Sequence, residues 1–209
     1  KRRKRIRGQT LIFTTAQNNT YVHDKFWASL MHLKEERAAK LVIGKSRYNK
    51  NGFQNASAEN EDGLWWDTRL EPFFDTASMV VAPDLIWCGE LDILPTAERP
   101  LSGFDGYSRN ASSIIPHVKV QLKSVPRMRG EDPKFLLSTG TVTMRNYIQR
   151  KAGQKAEFHH VFGALLIEFN RRGRWFARQL IADEKGEFYD LDKKYTPEGI
   201  TAGHRVEAL

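Results

Sequence analysis

Apolar positions near the start of the chain predict a strand, a helix and a second strand. Residues 10–17 (TLIFTTAQ) and 40–48 (KLVIGKSRY) are short runs rich in β-forming side chains. Between them, from Asp24 to about Lys40, apolar residues recur at helical spacing. A strand, a helix and a strand in this order form a βαβ unit, which crosses over right-handed and pairs its strands in parallel. The pattern therefore predicts an α/β fold.

The predicted helix buries one side. Phe26, Leu30 and Leu33 form an apolar row, and charged residues occupy the opposite side. Thr20 and Asp24 are candidate residues for capping its amino end, because both carry a side-chain oxygen that can accept from a free backbone N–H.

A polar turn, AQNNT, follows the first predicted strand. In open α/β sheets, ligands bind outside the carboxyl ends of the strands. The candidate ligand contacts in this region are Gln17, Asn18, Asn19, Thr20 and His23. The chain contains neither G-x-G-x-x-G nor G-x-x-x-x-G-K-[ST], which excludes the classical dinucleotide and P-loop motifs.

Residues 116–125 (PHVKVQLKSV) alternate most clearly. Val118, Val120 and Leu122 would share one face of a strand. The opposite face would carry Lys119, Gln121 and Lys123. We take this strand as the centre of the predicted polar site, with a polar turn at 146–155 (NYIQRKAGQK) and the two histidines of EFHH close behind it in sequence.

The other segments predict a sheet that continues with antiparallel strands. Residues 79–96 contain one or two buried strands broken by Pro83, and residues 64–74 form an amphipathic segment that covers the core. Residues 163–169 and 174–183 form a hairpin with Gly173 in its turn. The expected fold class is mixed α/β, with a sheet that begins with a βαβ unit and continues into antiparallel strands.

Composition adds a charge argument. The 209 residues suit a domain with a proper core, preceded by a basic arm or linker at 1–8, so that the mixed α/β domain covers 9–209. The net charge of +8 favours polyanionic partners, but six basic residues at positions 1–7 supply most of it and leave about +2 on the body. The arm either contacts phosphates or is a solvated linker.

The cysteine content and the hydropathy further limit the class of protein. The single Cys88 excludes an internal disulfide framework and fits a reducing compartment such as a cytoplasm. No apolar run approaches the length of a membrane span, so no membrane partner is expected. The first residue is not Met, and the last residues resemble the beginning of a strand, so we expect a longer chain that extends beyond both ends.

One enzymatic hypothesis joins two segments. Nucleases of the PD-(D/E)-x-K kind hold a divalent metal with an acid on one strand and place an acid or amide two residues before a lysine on the next strand. Glu90 and Asp92 would be the metal ligands, and Asp92, Gln121 and Lys123 the catalytic residues. The metal would be Mn²⁺ or Mg²⁺. A strand with a solvated face is the plainer interpretation, because a long Pro/Gly-rich loop separates Asp92 from Gln121.

Histidines and threonines complete the candidate site. His159 and His160 are adjacent, so on a strand they would point to opposite faces, one of them towards His117. Thr139 and Thr141 flank Gly140, where backbone N–H groups could cradle a phosphate, although an exposed strand face with alternating threonines is the plainer explanation. Lys151 adds positive charge nearby.

Six motifs resemble a poorly characterised family of phage-encoded proteins. The motifs are TTAQNNTYVH (14–23), LPTAERPLSGFDG (94–106), PHVKVQLKSVP (116–126), STGTVTMRNY (138–147), KAGQKAEFHHVFGAL (151–165) and DLDKKYTPEGI (190–200). The family is similar to the early DNA-transfer and host-DNA-degradation nucleases of T5-like phages, and its longer members carry a calcineurin-like metallophosphoesterase domain after this region. The resemblance implies metal-dependent DNA cleavage, with the metal ligands mostly beyond Leu209, because the motifs G-D-x-H and G-N-H-[DE] are absent here.

Three functional hypotheses follow. The first is a DNA-associated domain of a metal-dependent nuclease or phosphoesterase that acts in DNA degradation or transfer. The second is a non-catalytic DNA-binding or oligomerisation module that depends on the basic arm and can form a homo-oligomer. The third is a nucleotide-binding regulatory domain that uses the turn after the first strand.

Overall fold

The computed structural model describes residues 9–49 and 63–204. The strands are β1 (Leu11–Gln17), β2 (Lys40–Ser46), β3 (Ser78–Ala82), β4 (Leu85–Cys88), β5 (Ser112–Ile115), β6 (Leu122–Val125), β7 (Lys134–Ser138), β8 (Gly163–Phe169), β9 (Trp175–Ile181), β10 (Phe188–Asp190), β11 (Lys193–Thr196) and β12 (Gly199–Ala202). The helices are α1 (Asp24–Glu36), α2 (Lys151–His159) and a 3-10 helix at Thr68–Phe73. The predicted basic arm, residues 50–62 and the last five residues lie outside the described ranges.

The predicted βαβ unit is confirmed. β1 and β2 pair in parallel, from Leu11 opposite Lys40 to Gln17 opposite Ser46. α1 ends at Glu36 rather than near Lys40, because Ala38 takes a left-handed conformation with φ +46° that a helix cannot continue through.

Both predicted caps of α1 are wrong. The N-cap is His23, whose Nδ1 atom accepts a hydrogen bond from the backbone N–H of Phe26 at 3.1 Å. His23 therefore does at this helix end what a serine or aspartate usually does.

The first sheet has the strand order β2-β1-β8-β9. β8 pairs antiparallel with both β1 and β9, so a parallel pair continues into antiparallel strands as the sequence predicted. Gly173 lies in the β8–β9 hairpin turn with φ +79°, a conformation that favours glycine.

The second sheet has the order β3-β4-β5-β7-β6 and is parallel in its centre and antiparallel at both edges. It packs face to face on the first sheet. Phe13 of β1 and Trp87 of β4 meet across the interface with ring centroids 5.1 Å apart. α1 covers the other face of the first sheet through Phe26, Leu30 and Leu33, as predicted.

The outer face of the second sheet is covered by the long connection between β4 and β5. Leu101 and Phe104 of that connection pack against Cys88, Ile115 and Leu136. Burial raises the pKa of the Cys88 thiol to about 11, so this cysteine is a packing residue rather than a nucleophile.

A third sheet, β10-β11-β12, is antiparallel and packs near α1. The Asp190 side chain, 1% exposed, joins it to the rest of the fold. Arg37 Nη2 and Arg178 Nη2 donate to Asp190 Oδ2 at 3.2 and 3.0 Å. Glu168 of β8 pairs with the same two arginines.

The strand predicted at 116–125 is confirmed only over β6, and residues 116–121 are not a strand. β5 ends at Ile115 and β6 begins at Leu122, and in between side chains replace the strand ladder. His117 Nδ1 accepts from the backbone N–H of Lys119 at 3.0 Å, and Gln121 N donates to Ser138 Oγ at 2.6 Å. As a result Val118 is fully buried whereas Leu122 is 57% exposed, although the alternation placed them on one face.

The turn predicted at 146–155 is also wrong at its carboxyl half, where α2 begins at Lys151. Gly153 obscures this helix in the sequence, because glycine is a poor helix former. The structure needs glycine there: a Cβ atom at 153 would lie 1.8 Å from the Ile148 carbonyl oxygen. Among the described residues, no helix is long and apolar enough to cross a membrane.

Candidate nucleic-acid interface

A short segment, Gly140–Thr143, separates β1 from β8 where the two strands diverge. Thr15 N donates to Gly140 O at 3.2 Å on one side, and Thr141 N donates to Val161 O at 3.0 Å on the other. The Thr141 hydroxyl lies 2.9 Å from Thr15 O and is fully buried. The segment thus completes the sheet, and it directs residues 144–146 past the turn that follows β1.

The polar turn after β1 bonds mainly to itself and to its neighbours. Asn18 Oδ1 accepts from Tyr48 N at 2.6 Å, and Asn18 Nδ2 donates to Tyr48 O at 3.2 Å. Asn19, with φ +56°, donates through Nδ2 to Gly63 O at 3.1 Å. Because these amides fix the backbone of the turn, their hydrogen-bonding capacity is largely used within the fold.

The same network includes two more of the predicted contacts. Gln17 Nε2 donates to Asn146 O at 3.0 Å, and the Thr20 hydroxyl donates to Met144 O at 3.3 Å. Gln17 Oε1 is buried without a hydrogen-bond partner among the described residues. Gln17, Asn18, Thr20 and His23 are all less than a tenth exposed, so they form a buried polar cluster rather than an open pocket.

His160 lies beneath this cluster as a neutral ring. Its Nε2 atom is 2.9 Å from the Thr143 carbonyl oxygen, and its Nδ1 atom is 2.7 Å from the Tyr147 hydroxyl. A carbonyl oxygen can only accept, so Nε2 carries the proton and Tyr147 donates to Nδ1. Burial lowers the pKa of His160 to about 3.

His117 and His159 form a second pair, with ring centroids 6.1 Å apart. His117 Nε2 donates to Leu94 O at 3.2 Å, and His159 Nε2 donates to Pro95 O at 2.7 Å. Burial lowers the pKa of His117 to about 4. Thr139 bonds to the backbone of His117 on the same side. These rings hold the 94–95 turn against the end of α2.

A groove opens directly beside this histidine pair. Its volume is about 690 Å³. We call it the basic groove, and its lining residues are Glu98, Arg99, Lys119, Gln121, Lys151, Gln154, Lys155, Phe158 and His159. The structure therefore brings Gln121, Lys151 and His159 of the predicted site together, and it separates them from the buried cluster that contains His160.

The groove carries more positive than negative charge. Lys155 Nζ pairs with Glu98 Oε1, and that lysine lowers the pKa of the Glu98 carboxyl. Lys119 Nζ donates to the backbone oxygen of Glu98 at 2.6 Å. Arg99 also contributes electrostatically to the lowered pKa of Glu98, and within the described ranges neither Arg99 nor Lys151 lies at ion-pair distance from a carboxylate. Four cations thus face one carboxylate, which suits a polyanionic ligand.

α2 supplies one wall of the groove. Lys151, Lys155 and Phe158 are exposed and lie at helical spacing on one side of α2, while Gly153 and Ala156 are buried on the other. The N-cap residue Arg150 makes no side-chain capping bond, so the amino end of α2 adds its partial positive charge beside Lys151.

The predicted nuclease residues make separate contacts. Asp92 Oδ1 accepts from Arg47 N at 2.9 Å, with the Arg47 guanidinium 3.6 Å from Oδ2. Glu90 accepts from the Tyr107 hydroxyl at 2.7 Å, and Lys123 Nζ lies 2.5 Å from Asp105. Glu90 and Asp92 follow β4 in a loop rather than on a strand.

This donor set does not suit a divalent cation. Within residues 9–49 and 63–204, no group of three or more His, Cys, Asp or Glu side chains could hold a metal ion. An arginine beside Asp92 further opposes a cation there. Burial raises the pKa of the Asp92 carboxyl, because desolvation outweighs the bond from Arg47. The catalytic and metal roles of these residues stay predictions.

Sequence reasoning missed Arg99, Gln154 and Phe158 as groove residues. The α2 residues carried a usable signal, because KAGQKAEF places Lys151, Lys155 and Phe158 on one side of a helix once Gly153 is accepted within it. Arg99 had no such signal, since it lies in a loop that only the folded chain brings to α2.

One phage protein is similar to most of this chain. The chain is 42% identical over 204 residues to Protein A1 of Escherichia phage T5, a match that covers 94% of this chain. It spans 36% of that protein's length. No protein-family profile matches the chain, and no solved structure matches it. The similarity supports the expected likeness to a phage-encoded family.

Proposed function

We propose that this chain is the DNA-holding region of a larger phage-encoded protein, and that the basic groove is its DNA-binding surface. The observation that carries the proposal is the convergence of Arg99, Lys119, Lys151 and Lys155 around one groove. These residues come from three separate segments of the chain. Lysine and arginine side chains supply most of the affinity of proteins for nucleic acid by neutralising phosphates and releasing their counterions.

The resemblance of the six sequence motifs to phage nucleases motivates a finer proposal. In it, the groove positions DNA for metal-dependent cleavage within the host cell, and the cleaving groups lie outside the described residues. The arrangement of Glu90 and Asp92, each bonded to a different partner, supports this division of roles.

The test is DNA affinity as a function of salt concentration. The full chain is titrated into fluorescently labelled DNA, and anisotropy gives the dissociation constant at several salt concentrations. The groove variant is Lys151→Gln with Lys155→Gln. Its matched control is Arg171→Gln with Arg172→Gln, which removes two exposed charges from the β8–β9 hairpin turn.

The groove variant should bind more weakly, with a shallower salt dependence. Loss of two phosphate contacts reduces the slope of log K against log salt by about 1.4 for single strands and about 1.8 for duplex. The control should keep the parent slope. Equal slopes for the groove variant and the control would contradict the proposal.

The basic arm needs its own measurement, because it lies outside the described residues and its charge can mask that of the groove. The same titrations are therefore repeated on a chain in which the six basic residues at positions 1–7 are replaced by glutamine. The groove substitutions should still weaken binding in this background. If replacement of the arm alone removes all affinity, the arm is the binding element and the groove is not.

A further inference from the structure

Phe158 is the most exposed large apolar side chain among the described residues, at 93% of its full accessible area. It lies in the last turn of α2 and lines the basic groove. It belongs to none of the apolar clusters that pack the two large sheets and α1. Packing within the described fold therefore does not account for a phenylalanine at this position.

The position of Phe158 follows the line of lysines. Lys155 lies four residues after Lys151, and Phe158 three residues after Lys155, on the same side of α2. At a rise of about 1.5 Å per residue, the lysines are roughly 6 Å apart along the axis, and the ring lies roughly 4.5 Å beyond. A strand that follows the lysines along the groove passes the ring.

We infer that the basic groove takes an unpaired nucleic-acid strand, and that Phe158 stacks on one of its bases. The inference rests on the proposed function. In a duplex, the faces of the bases are stacked on each other and are not available to a protein ring. Sites for single strands combine a positively charged groove with aromatic side chains on which bases stack. The basic groove has both a positively charged lining and an aromatic side chain, Phe158.

The surroundings of Phe158 favour this ligand over a protein partner. A protein interface that uses an exposed phenylalanine is apolar at its centre and depleted in lysine. Around Phe158 the groove presents Lys155, Gln154 and Lys119 instead. These side chains suit the phosphates of a strand whose base covers the ring.

The test compares single-stranded and duplex ligands of equal nucleotide count. The ligands are labelled oligothymidylate, oligouridylate and a blunt-ended hairpin duplex, each titrated with the full chain. The variants are Phe158→Ala and Phe158→Trp. The control is Phe176→Ala, which removes another exposed aromatic ring, on β9 away from the groove.

Phe158→Ala should weaken single-strand binding by about 5- to 150-fold, the range expected for loss of one stacked base. Its duplex affinity should not change. Phe158→Trp should restore the single-strand affinity, and the control should match the parent. The oligouridylate arm distinguishes the source of the strand: equal affinity for both means that DNA and RNA are held alike, and stronger oligothymidylate binding means DNA.

Two failures are distinguishable. If the lysine substitutions weaken binding and Phe158→Ala changes neither ligand, the inference about an unpaired base is overturned and the proposed function stands. If neither the lysine nor the phenylalanine substitutions matter, both are overturned. Because Phe158 is exposed, its substitution should leave the melting temperature unchanged, which separates lost stacking from lost folding.

Discussion

His159 and His160 are consecutive in the chain, yet their Nε2 atoms bond to carbonyl oxygens on different segments, Pro95 at 2.7 Å and Thr143 at 2.9 Å. His159 is the last residue of α2 and faces the basic groove, while His160 turns into the buried cluster after β1. The two bonds hold the end of α2 between these segments. They therefore fix the place of Phe158, the residue immediately before them.

The two most deeply buried histidines make stability depend on pH. His117 and His160 have pKa values of about 4 and about 3 in the folded chain, lowered by burial from an ordinary value of 6.5. Below pH 6.5 the unfolded chain takes up protons at these rings and the folded chain does not. The stability that these two neutral rings contribute is therefore fully present above pH 6.5. It is lost as the pH falls towards their pKa values in the folded chain. From pH 7 to pH 5 the expected loss is roughly 2 kcal/mol for each ring.

Urea unfolding at several pH values measures this effect. His160→Gln should flatten the dependence between pH 7 and pH 5, whatever it does to stability at pH 7. His204→Gln, at an exposed position, is the control and should keep the parent dependence. An identical pH dependence in His160→Gln and the parent would show that this ring does not carry the effect.

Gly153→Ala should destabilise the chain, although alanine is ordinarily the better helix former. The new Cβ would lie 1.8 Å from the Ile148 carbonyl oxygen, so the start of α2 must move. We expect a loss of about 1 to 3 kcal/mol in the free energy of unfolding, the usual cost of overpacking. We also expect weaker DNA binding, because Lys151 moves with the helix.

Thermal unfolding and the DNA titration measure the two consequences. Gly106→Ala is the matched control, since a Cβ there meets nothing within 4 Å. A more stable Gly153→Ala variant would mean that α2 and Ile148 do not pack as described.

Asp190→Asn should weaken the attachment of the third sheet to the rest of the fold. The Asp190 carboxylate accepts from both Arg37 and Arg178, and the substitution removes its charge while keeping its size. Breaking charge-assisted bonds to a buried carboxylate costs about 2 to 3 kcal/mol. Urea unfolding checks the value, with the exposed Asp192→Asn as control. A loss no greater than that of the control would show that the ion cluster adds nothing to stability.

The catalytic hypothesis has a direct assay. The chain is incubated with linear duplex DNA and Mn²⁺ or Mg²⁺, beside its Asp92→Ala and Lys123→Ala variants and a longer chain that extends past Leu209. If the cleaving groups lie outside the described residues, cleavage should require the longer chain and should survive both substitutions. Cleavage by the present chain that Asp92→Ala abolishes would place the chemistry on β4 and its loop.

Local patterns predicted the parts of the fold that local forces determine. The spacing of Phe26, Leu30 and Leu33 predicted α1 because all three side chains pack against the first sheet. Gly173 predicted the β8–β9 turn because the turn needs a residue in the left-handed conformation. The alternation at 116–125 wrongly predicted a strand over 116–121. There the side chains of His117 and Ser138 accept hydrogen bonds from backbone N–H groups that a neighbouring strand would otherwise have paired. The bond from Gln121 to Ser138 joins residues 17 apart in the sequence, which a local alternation pattern cannot predict.

The candidate site was only partly predictable, because local patterns do not show which distant segments meet. Gln17, Asn18 and Asn19 do follow β1, as the α/β rule indicates, but partners such as Tyr48 and Gly63 enclose them. The basic groove is assembled from 98–99, 119–121 and 151–159, and only the folded chain brings these segments together. Sequence periodicity cannot predict that these segments come together, because each segment contributes only a few side chains.

Amide hydrogen exchange with and without a single-stranded oligonucleotide shows whether the basic groove is where the strand binds. Mass spectrometry of the full chain reports which peptides the ligand protects. Exchange should become slower in 117–123 and 149–160, and it should not change in the β8–β9 turn around Gly173. Protection confined to other segments, with α2 exchanging as fast as in the free chain, would contradict binding in the basic groove.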